Sequence, residues 1–205
     1  MNETIKKINE LAKNQPWNHS IDLGQGLFTS DPRLHKRDGT NIVKWERLKK
    51  YIDTVDWNNK IVFDVGASDG FFTVEMAKRG AKVYSLEVNL NRLKKLNFVI
   101  KKLNIQKKVT VIDQNIYELN FDDLPKFDLV ICMGFLHRVP DFYSVMNKLS
   151  KISENIVYEW KAQIDYSYEK SIIMFDGKSS DINDNFVTCY FTPNLFSILK
   201  ISSSL

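Results

Sequence analysis

A glycine-rich turn carries the strongest chemical signal in the sequence. Asp64 ends a short apolar run, and Gly66 and Gly70 follow in the spacing G-x-x-x-G before a helical pattern that starts at Phe71. Gly66 allows a ligand to approach the backbone, Gly70 allows the helix start to pack tightly, and Asp64 can accept hydrogen bonds from a ligand amino group or from the turn. Because the turn lacks both the dinucleotide G-x-G-x-x-G spacing and a Walker lysine, by itself it predicts only a tight strand-to-helix connection.

Polar side chains also follow the next two strand-like runs. Glu87 ends the second run, where a carboxylate can bind both hydroxyls of a ribose. Asn115 and Ile116 follow the third run, where an amide and an apolar side chain can hold the edge and the face of an adenine. For Asn115, a turn-forming loop residue is an equally good interpretation. Together these positions predict a site for a nucleoside-containing ligand.

The elements that position these residues are short strands alternating with helices. Apolar, β-branched and aromatic runs predict strands buried on both faces at residues 61–63, 82–88, 109–112, 127–133 and 155–159. Apolar residues at helical spacing predict helices that begin near Phe71, Leu90 and Phe142. This alternation is typical of an α/β fold in which a mostly parallel sheet has helices on both faces, with ligands at the carboxyl ends of the strands.

The regions on either side of the alternation differ from it. Residues 1–58 predict two amphipathic helices, around Ile8 and Trp45, joined by a long loop over 16–39 that suits a lid or a substrate-binding element. Residues 59–205 are predicted to form the ligand-binding core, and the whole chain one domain. Beyond residue 159, runs at 171–175 and 186–191 predict a hairpin, and Pro193 predicts the start of a last short helix that ends near Lys200.

The composition excludes several classes of protein. With 43% hydrophobic residues and a net charge of +4, the chain is neither globally disordered nor a dedicated basic nucleic-acid binder. The lysines from Lys94-Lys95 to Lys107-Lys108 predict a solvated helix face. Two cysteines and no His/Cys cluster predict neither a disulfide framework nor a metal site. The lack of a signal-like or membrane-length apolar run predicts a cytoplasmic protein.

Three of these features together resemble the class I S-adenosylmethionine-dependent methyltransferases. They are the motif Asp-Val-Gly-Ala-Ser-Asp-Gly over residues 64–70, the acid Glu87, and Phe-Asp-Leu-Val over residues 127–130. The resemblance spans about residues 44–200. It implies a Rossmann-like core that binds S-adenosylmethionine and releases S-adenosylhomocysteine. The cofactor contacts that it implies are Asp64, Gly66, Ala67, Ser68, Gly70, Phe71, Glu87, Asn115, Ile116 and Met133.

Four further blocks resemble a narrower group, the tRNA wobble-uridine (5-oxyacetate or 5-methoxy) methyltransferase-like family. In chain order they are residues 16–24, 44–47, 133–140 and 190–193. By this resemblance Lys44, Trp45 and His137 approach the cofactor and the acceptor. The carboxymethyl-transferring members have a basic residue just after the proline-tryptophan pair, where this chain has Asn18 and His19. The difference implies ordinary S-adenosylmethionine as the cofactor.

The predicted reaction is transfer of a methyl group to a hydroxyl of a small molecule or a saccharide. His137 is the predicted base, and Glu159 either orients it or binds the acceptor; an exposed loop imidazole is the alternative for His137. His19 and His35 are predicted structural residues or simple substrate contacts, while Trp17, Trp45 and Trp160 line the pocket or pack in the core. The alternative functions are tRNA wobble-uridine modification and a non-catalytic Rossmann-like binding module.

The end of the sequence leaves the predicted sheet incomplete. In the resembled class an antiparallel strand pair usually closes the sheet after the last helix, and here only residues 201–205 would remain for it. We therefore expect no such pair. The chain is then either truncated, or the open edge of the fifth strand is covered by residues 171–191 or by a second copy of the chain.

Overall fold

A computed structural model describes residues 3–36, 40–159, 173–176 and 190–193 of the chain. Within these ranges single 3-10 turns lie at Pro32–His35, Phe121–Asp123 and Leu136–Arg138. The helices are α1 (Glu3–Ala12), α2 (Asn41–Ile52), α3 (Phe71–Lys78), α4 (Leu90–Lys102) and α5 (Phe142–Ile152). None of the helices in the described part of the chain is long and apolar enough to span a lipid bilayer.

The strands form one five-stranded sheet and one two-stranded sheet. Their bounds are β1 (Ile61–Val65), β2 (Lys82–Leu86), β3 (Val109–Ile112), β4 (Leu129–Met133), β5 (Ile156–Glu159), β6 (Ile173–Asp176) and β7 (Tyr190–Pro193). The larger sheet has the order β3-β2-β1-β4-β5, and its β1–β2, β2–β3 and β4–β5 pairs are parallel. The strand–helix alternation and the mostly parallel α/β architecture predicted from the apolar periodicity are confirmed.

Residues 1–115 form the first of two compact units. Its strands β1 to β3 pair in register, with Val62 opposite Val83 and Val83 opposite Val109. The side chains of β1 after its first residue are buried, as expected for a central strand with helices on both faces. Leu96 of α4 packs with Ala67 of the glycine turn, so this helix supports the turn through apolar contacts.

Residues 116–205 form the second unit. Met133 and Glu159, the last residues of β4 and β5, are opposite each other in the parallel register. Helix α5 begins at a cap in which the Asp141 side chain accepts a hydrogen bond from the Ser144 amide. Its apolar face, including Leu149, is buried. In this unit, therefore, the carboxyl ends of β4 and β5 lie side by side. The division of the chain at residue 58, predicted above, stays a prediction.

The predicted hairpin beyond residue 159 is present with shifted bounds. β6 and β7 pair antiparallel, Ile173 opposite Pro193, in a sheet of their own that does not extend the five-stranded sheet. The prediction that Pro193 opens a helix is wrong. Proline cannot donate a backbone hydrogen bond, but an edge position at the end of a strand tolerates this, and the pairing of β6 with β7 extends to Pro193. Residues 194–205, with the rest of the predicted helix and the chain end, lie outside the described residues.

Candidate functional site

The glycine turn between β1 and α3 is held by the carboxylate of Glu87. Glu87 follows β2 directly and is only 6% exposed. One of its oxygens accepts the Ser68 amide at 2.8 Å, and the other accepts the Val88 and Asn89 amides at 2.9 Å each. These charge-assisted bonds fix the carboxylate beside the turn. The structure thus brings together two features that the sequence analysis assigned to one site.

Gly70 is the residue at which the turn enters α3. Its φ is +95°, in the left-handed region, and a Cβ at this position would lie 2.5 Å from Cδ1 of Leu96. The backbone conformation therefore favours glycine, and a Cβ here would force the Leu96 side chain to move, in agreement with the tight packing predicted from the spacing.

Asp64 is buried, and its carboxylate contacts α3. Its Oδ2 accepts a hydrogen bond from the Thr73 hydroxyl at 2.6 Å, and the oxygens of Thr73 and Ser85 lie 2.8 Å apart. The predicted acceptance of hydrogen bonds from a ligand amino group or from the turn stays a prediction. Burial raises the pKa of Asp64 to about 7; hydrogen bonds from Thr73 oppose the increase, and the nearby Glu87 charge adds to it.

A buried ion pair that the sequence analysis missed lies next to the turn. Lys95 and Asp69 are both fully buried, and Lys95 Nζ lies 3.9 Å from Asp69 Oδ1. Lys95 Nζ donates to the carbonyls of Gln15 and Pro16 at 2.8 Å each and lies 5.4 Å from the Trp17 ring centroid. The expectation that this lysine belongs to a solvated helix face is wrong, because its ammonium binds a distant segment of the chain.

Residues 15–19, here called the N-terminal strap, are fastened to the glycine turn by the other oxygen of Asp69. Asp69 Oδ2 accepts the Asn18 amide in a short hydrogen bond and the His19 amide at 3.2 Å, and the Asn18 side chain donates to Ser68 Oγ at 3.0 Å. Burial raises the pKa of Asp69, while Lys95, the two strap amides and the Arg92 charge oppose the increase. The strap therefore covers the turn through backbone hydrogen bonds to one carboxylate.

His19 is an uncharged imidazole in an aromatic cluster. Its ring centroid lies 6.0 Å from that of Phe71 and 6.4 Å from that of Phe72. Burial, and then the positive charges of four groups, lowers its pKa to about 3; these groups are Lys44, Arg92, His35 and Lys95. His35 Nε2 lies 2.9 Å from Ser30 Oγ in the loop that precedes α2.

The tryptophans of this unit are core residues. Trp45 is buried against Phe71 and Phe72, with ring centroids 6.2 Å away in both cases, and the Arg79 guanidinium lies 4.6 Å from its centroid. Trp17 is buried and donates its indole N–H to the Ile8 carbonyl at 3.2 Å. Lys44, one residue before Trp45 on α2, is half-buried. Trp160 lies outside the described residues.

The remaining predicted site residues follow β3, β4 and β5. Asn115, half-buried, ends the first unit. In the second unit Ile116 is buried and the Gly134 amide donates to the Glu159 carbonyl at 3.4 Å. His137 lies on the turn Leu136–Arg138 and is only 8% exposed, so the alternative of an exposed loop imidazole is wrong. The catalytic roles of His137 and Glu159 stay predictions.

The donor set around the glycine turn fits S-adenosylmethionine. Among the buried polar atoms of the described residues that have no hydrogen-bond partner are His19 Nδ1, Asp69 Oδ1 and Arg92 Nε. The Glu87 carboxylate beside the turn has the acceptor chemistry that a ribose hydroxyl requires. The acidic and basic groups together suit a ligand end that carries both an ammonium and a carboxylate. No group of three His, Cys, Asp or Glu side chains in the described part of the chain could hold a metal ion.

A parallel sheet with a glycine turn after its central strand and an acid after the next strand defines a Rossmann-like nucleoside-binding core. Residues 57–159, half of the chain, match the methyltransferase domain family, and the chain belongs to that family. The N-terminal domain of EvdMO1, a structure with S-adenosylhomocysteine bound, shares the fold at a TM-score of 0.72 and 16% identity, covering 100% of this chain and 87% of that one.

Two further proteins are similar to this chain in sequence. A tRNA U34 carboxymethyltransferase of Ruthia magnifica subsp. Calyptogena magnifica is 32% identical over 117 residues, which cover 54% of this chain and 34% of the relative. A ubiquinone biosynthesis O-methyltransferase of Psychrobacter cryohalolentis is 29% identical over 93 residues, covering 45% of this chain and 36% of the relative. The matched part of the chain spans about a third of the length of these relatives.

The buried ion pair predicts a sharp contrast between neighbouring lysines. Replacing Lys95→Met leaves Asp69 and two carbonyls without their cation, and we expect the free energy of unfolding to fall by about 3–5 kcal/mol. The exposed neighbour provides the control, since Lys94→Met should change it by less than about 0.5 kcal/mol. Urea denaturation measures both. Adding Asp69→Asn to Lys95→Met should recover part of the loss; equal effects of the two lysine variants would contradict the assignment.

Asp64 and His19 predict opposite pH dependences of stability. The folded protein keeps a proton on Asp64 that the unfolded chain releases, so this group lowers stability as the pH rises from about 4 to about 7, by up to about 4 kcal/mol. His19 has a lowered pKa, so its contribution is present above its unfolded pKa of 6.5 and is lost as the pH falls toward about 3.

Variants separate the two contributions. Unfolding free energies should be measured between pH 4 and pH 7. With increasing pH they should rise more steeply in Asp64→Asn than in the wild type, and less steeply in His19→Gln than in the wild type. The exposed Asp122→Asn variant is the control. Parallel curves for Asp64→Asn and the wild type would show that Asp64 is ionised throughout this range.

Proposed function

We propose that this protein is an S-adenosylmethionine-dependent methyltransferase that methylates a hydroxyl group of a small molecule or a saccharide. The observation that carries the proposal is the buried Glu87 carboxylate beside the glycine turn, where two adjacent parallel strands end. The family match supports the activity, and the fold shared with a structure that has S-adenosylhomocysteine bound supports the cofactor. The proposed location is the cytoplasm, and the proposed partners are the acceptor and a second copy of the chain.

In this proposal, different residues bind the ribose, the amino-acid end and the adenine of the cofactor. Glu87 accepts a hydrogen bond from a ribose hydroxyl at the lone pair of Oε2 that the Ser68 amide leaves available. The glycine turn and Lys44 take the amino-acid end, and Asn115 and Ile116 take the adenine. The cofactor supplies an activated methyl group on a sulfonium, and the chain's part is to hold the acceptor oxygen in line with it.

His137 is the proposed base for the acceptor hydroxyl. A neutral imidazole accepts the hydroxyl proton as the oxygen attacks, and the low exposure of His137 keeps water away from that proton. Glu159 ends the strand beside β4, the strand that leads to His137, and its proposed role is to orient the imidazole or to bind the acceptor.

Modification of a tRNA wobble uridine is the second candidate, since one of the similar proteins is a tRNA U34 carboxymethyltransferase. In the carboxymethyl-transferring members a basic residue follows the proline-tryptophan pair. Here Asn18 is bonded to Ser68, and His19 has a pKa of about 3 and is therefore uncharged near neutral pH. Neither position offers a cation for a second cofactor carboxylate, which supports ordinary S-adenosylmethionine and a different acceptor. A non-catalytic binding module is the third candidate.

Calorimetry with S-adenosylmethionine and S-adenosylhomocysteine tests the cofactor. Glu87→Gln should weaken binding of both by about 1–3 kcal/mol, because it removes charge-assisted bonds to the ribose. The exposed Glu154→Gln should bind as the wild type does. Thermal denaturation confirms that each variant is folded. Unchanged affinity in folded Glu87→Gln would remove this residue from the ribose site, and a folded wild type that binds neither ligand would refute the proposed function.

A methyl-transfer assay with labelled cofactor tests two points, the role of His137 as the base and the class of the acceptor. His137→Asn should keep the affinity for S-adenosylhomocysteine and lose turnover, measured on hydroxyl-bearing saccharides and small molecules. A gel shift with bulk tRNA at several salt concentrations runs in parallel. Steep salt dependence together with tRNA methylation would establish the second candidate. Full turnover in His137→Asn would exclude His137 as the base.

A further inference from the structure

Asn41 is a buried amide without hydrogen-bond partners. It is the first residue of α2 and is 4% exposed, and neither its Oδ1 nor its Nδ2 has a partner within the described residues. Thr40 occupies the N-cap position, so Asn41 does not cap the helix. Burying an amide without partners costs free energy, and proteins retain few such groups. A ligand that pairs with both amide atoms would remove this cost.

Asn41 lies on the face of α2 that packs against the start of α3. Asn41 and Trp45 are four residues apart and therefore share one face of the helix. Trp45 packs on Phe71 and Phe72, the first two residues of α3 immediately after Gly70. Because helix side chains lean toward the N-terminus, the Asn41 amide extends beyond the start of α2 on this face.

The chemistry of the neighbouring groups selects the ligand. An asparagine amide both accepts and donates hydrogen bonds, so it matches a group with a donor beside an acceptor. Lys44 lies within the next turn of α2, and the His19 ring, which is influenced by the Lys44 charge, packs on the same two phenylalanines. An ammonium adjacent to a carboxylate fits this combination of an amide and a nearby cation.

We propose that Asn41 binds the amino-acid end of the cofactor. Its Oδ1 accepts a hydrogen bond from the α-ammonium, and its Nδ2 donates to the carboxylate. The inference rests on the proposed function and deepens it, since it adds to the site a residue that neither the motifs nor the spacing of the sequence indicated. A hydroxyl of the acceptor is the competing occupant and is an outcome of the test below.

Two ligands that differ only at the amino-acid end test the proposal. Calorimetry compares S-adenosylhomocysteine with 5′-methylthioadenosine, which has the nucleoside and sulfur but no amino acid. Asn41→Leu should weaken binding of S-adenosylhomocysteine by about 10- to 100-fold and change that of 5′-methylthioadenosine by less than about twofold. Its thermal stability should equal or exceed that of the wild type, since an apolar side chain replaces an unpaired amide.

Further variants keep the outcome decisive. Asn41→Ala removes both amide atoms without adding a charge or bulk, so the same selective loss is expected. The exposed Asn97→Leu on α4 is the matched control. Retained affinity for S-adenosylhomocysteine, as expected if Asn41 binds the acceptor, or an equal loss for both ligands, would overturn the Asn41 assignment alone. A wild type that binds neither ligand would refute the proposed function and this inference together.

Discussion

The first unit depends on the contacts that the buried ammonium of Lys95 makes. It pairs with Asp69 inside the glycine turn and with two carbonyls of the N-terminal strap, while Trp17 of the strap packs beside it. A buried charge is costly without partners, so α4, the strap and the turn must be in place together. One side chain thereby couples three segments that are far apart in the sequence.

Two carboxylates fix the conformation of the glycine turn from different directions. Glu87 accepts the Ser68 amide from the side of β2, and Asp69, within the turn, accepts the strap amides. Ser68 itself has a φ of +55°, which is uncommon for a residue with a side chain. Its backbone and its hydroxyl both have partners, Glu87 and Asn18, which hold it in this conformation. The site is therefore preorganised by hydrogen bonds that do not involve a ligand.

The fold could be predicted where burial alone determines the pattern. Strands such as β4 are apolar runs, and helices such as α4 show their buried face in the spacing of Leu93, Leu96 and Ile100. The same spacing failed for Lys95, because helical periodicity contains no information about a partner that lies 80 residues earlier in the chain. Asp64 was placed correctly at a strand end, but its bond to Thr73 depends on how α3 packs.

The candidate site was predictable only in part for the same reason. Glycine spacing and the acid after β2 are local signals, so the turn and Glu87 could be recognised together. Asp69 and Asn41 have no such signal: one looks like an ordinary turn residue, and the other like a helix-start residue. Only their burial and the partners they have or lack, which are tertiary properties, indicate roles in the site.

The bonds of Lys95 to the N-terminal strap also constrain the order of folding. The residues they join are separated by 79 and 80 positions, so closing this loop carries an entropic cost that local helix and strand contacts do not. The strap leaves the ribosome well before α4 does. The strap can bind Lys95 only after the strands and α4 have assembled. Its docking is therefore a late step in the folding of this unit.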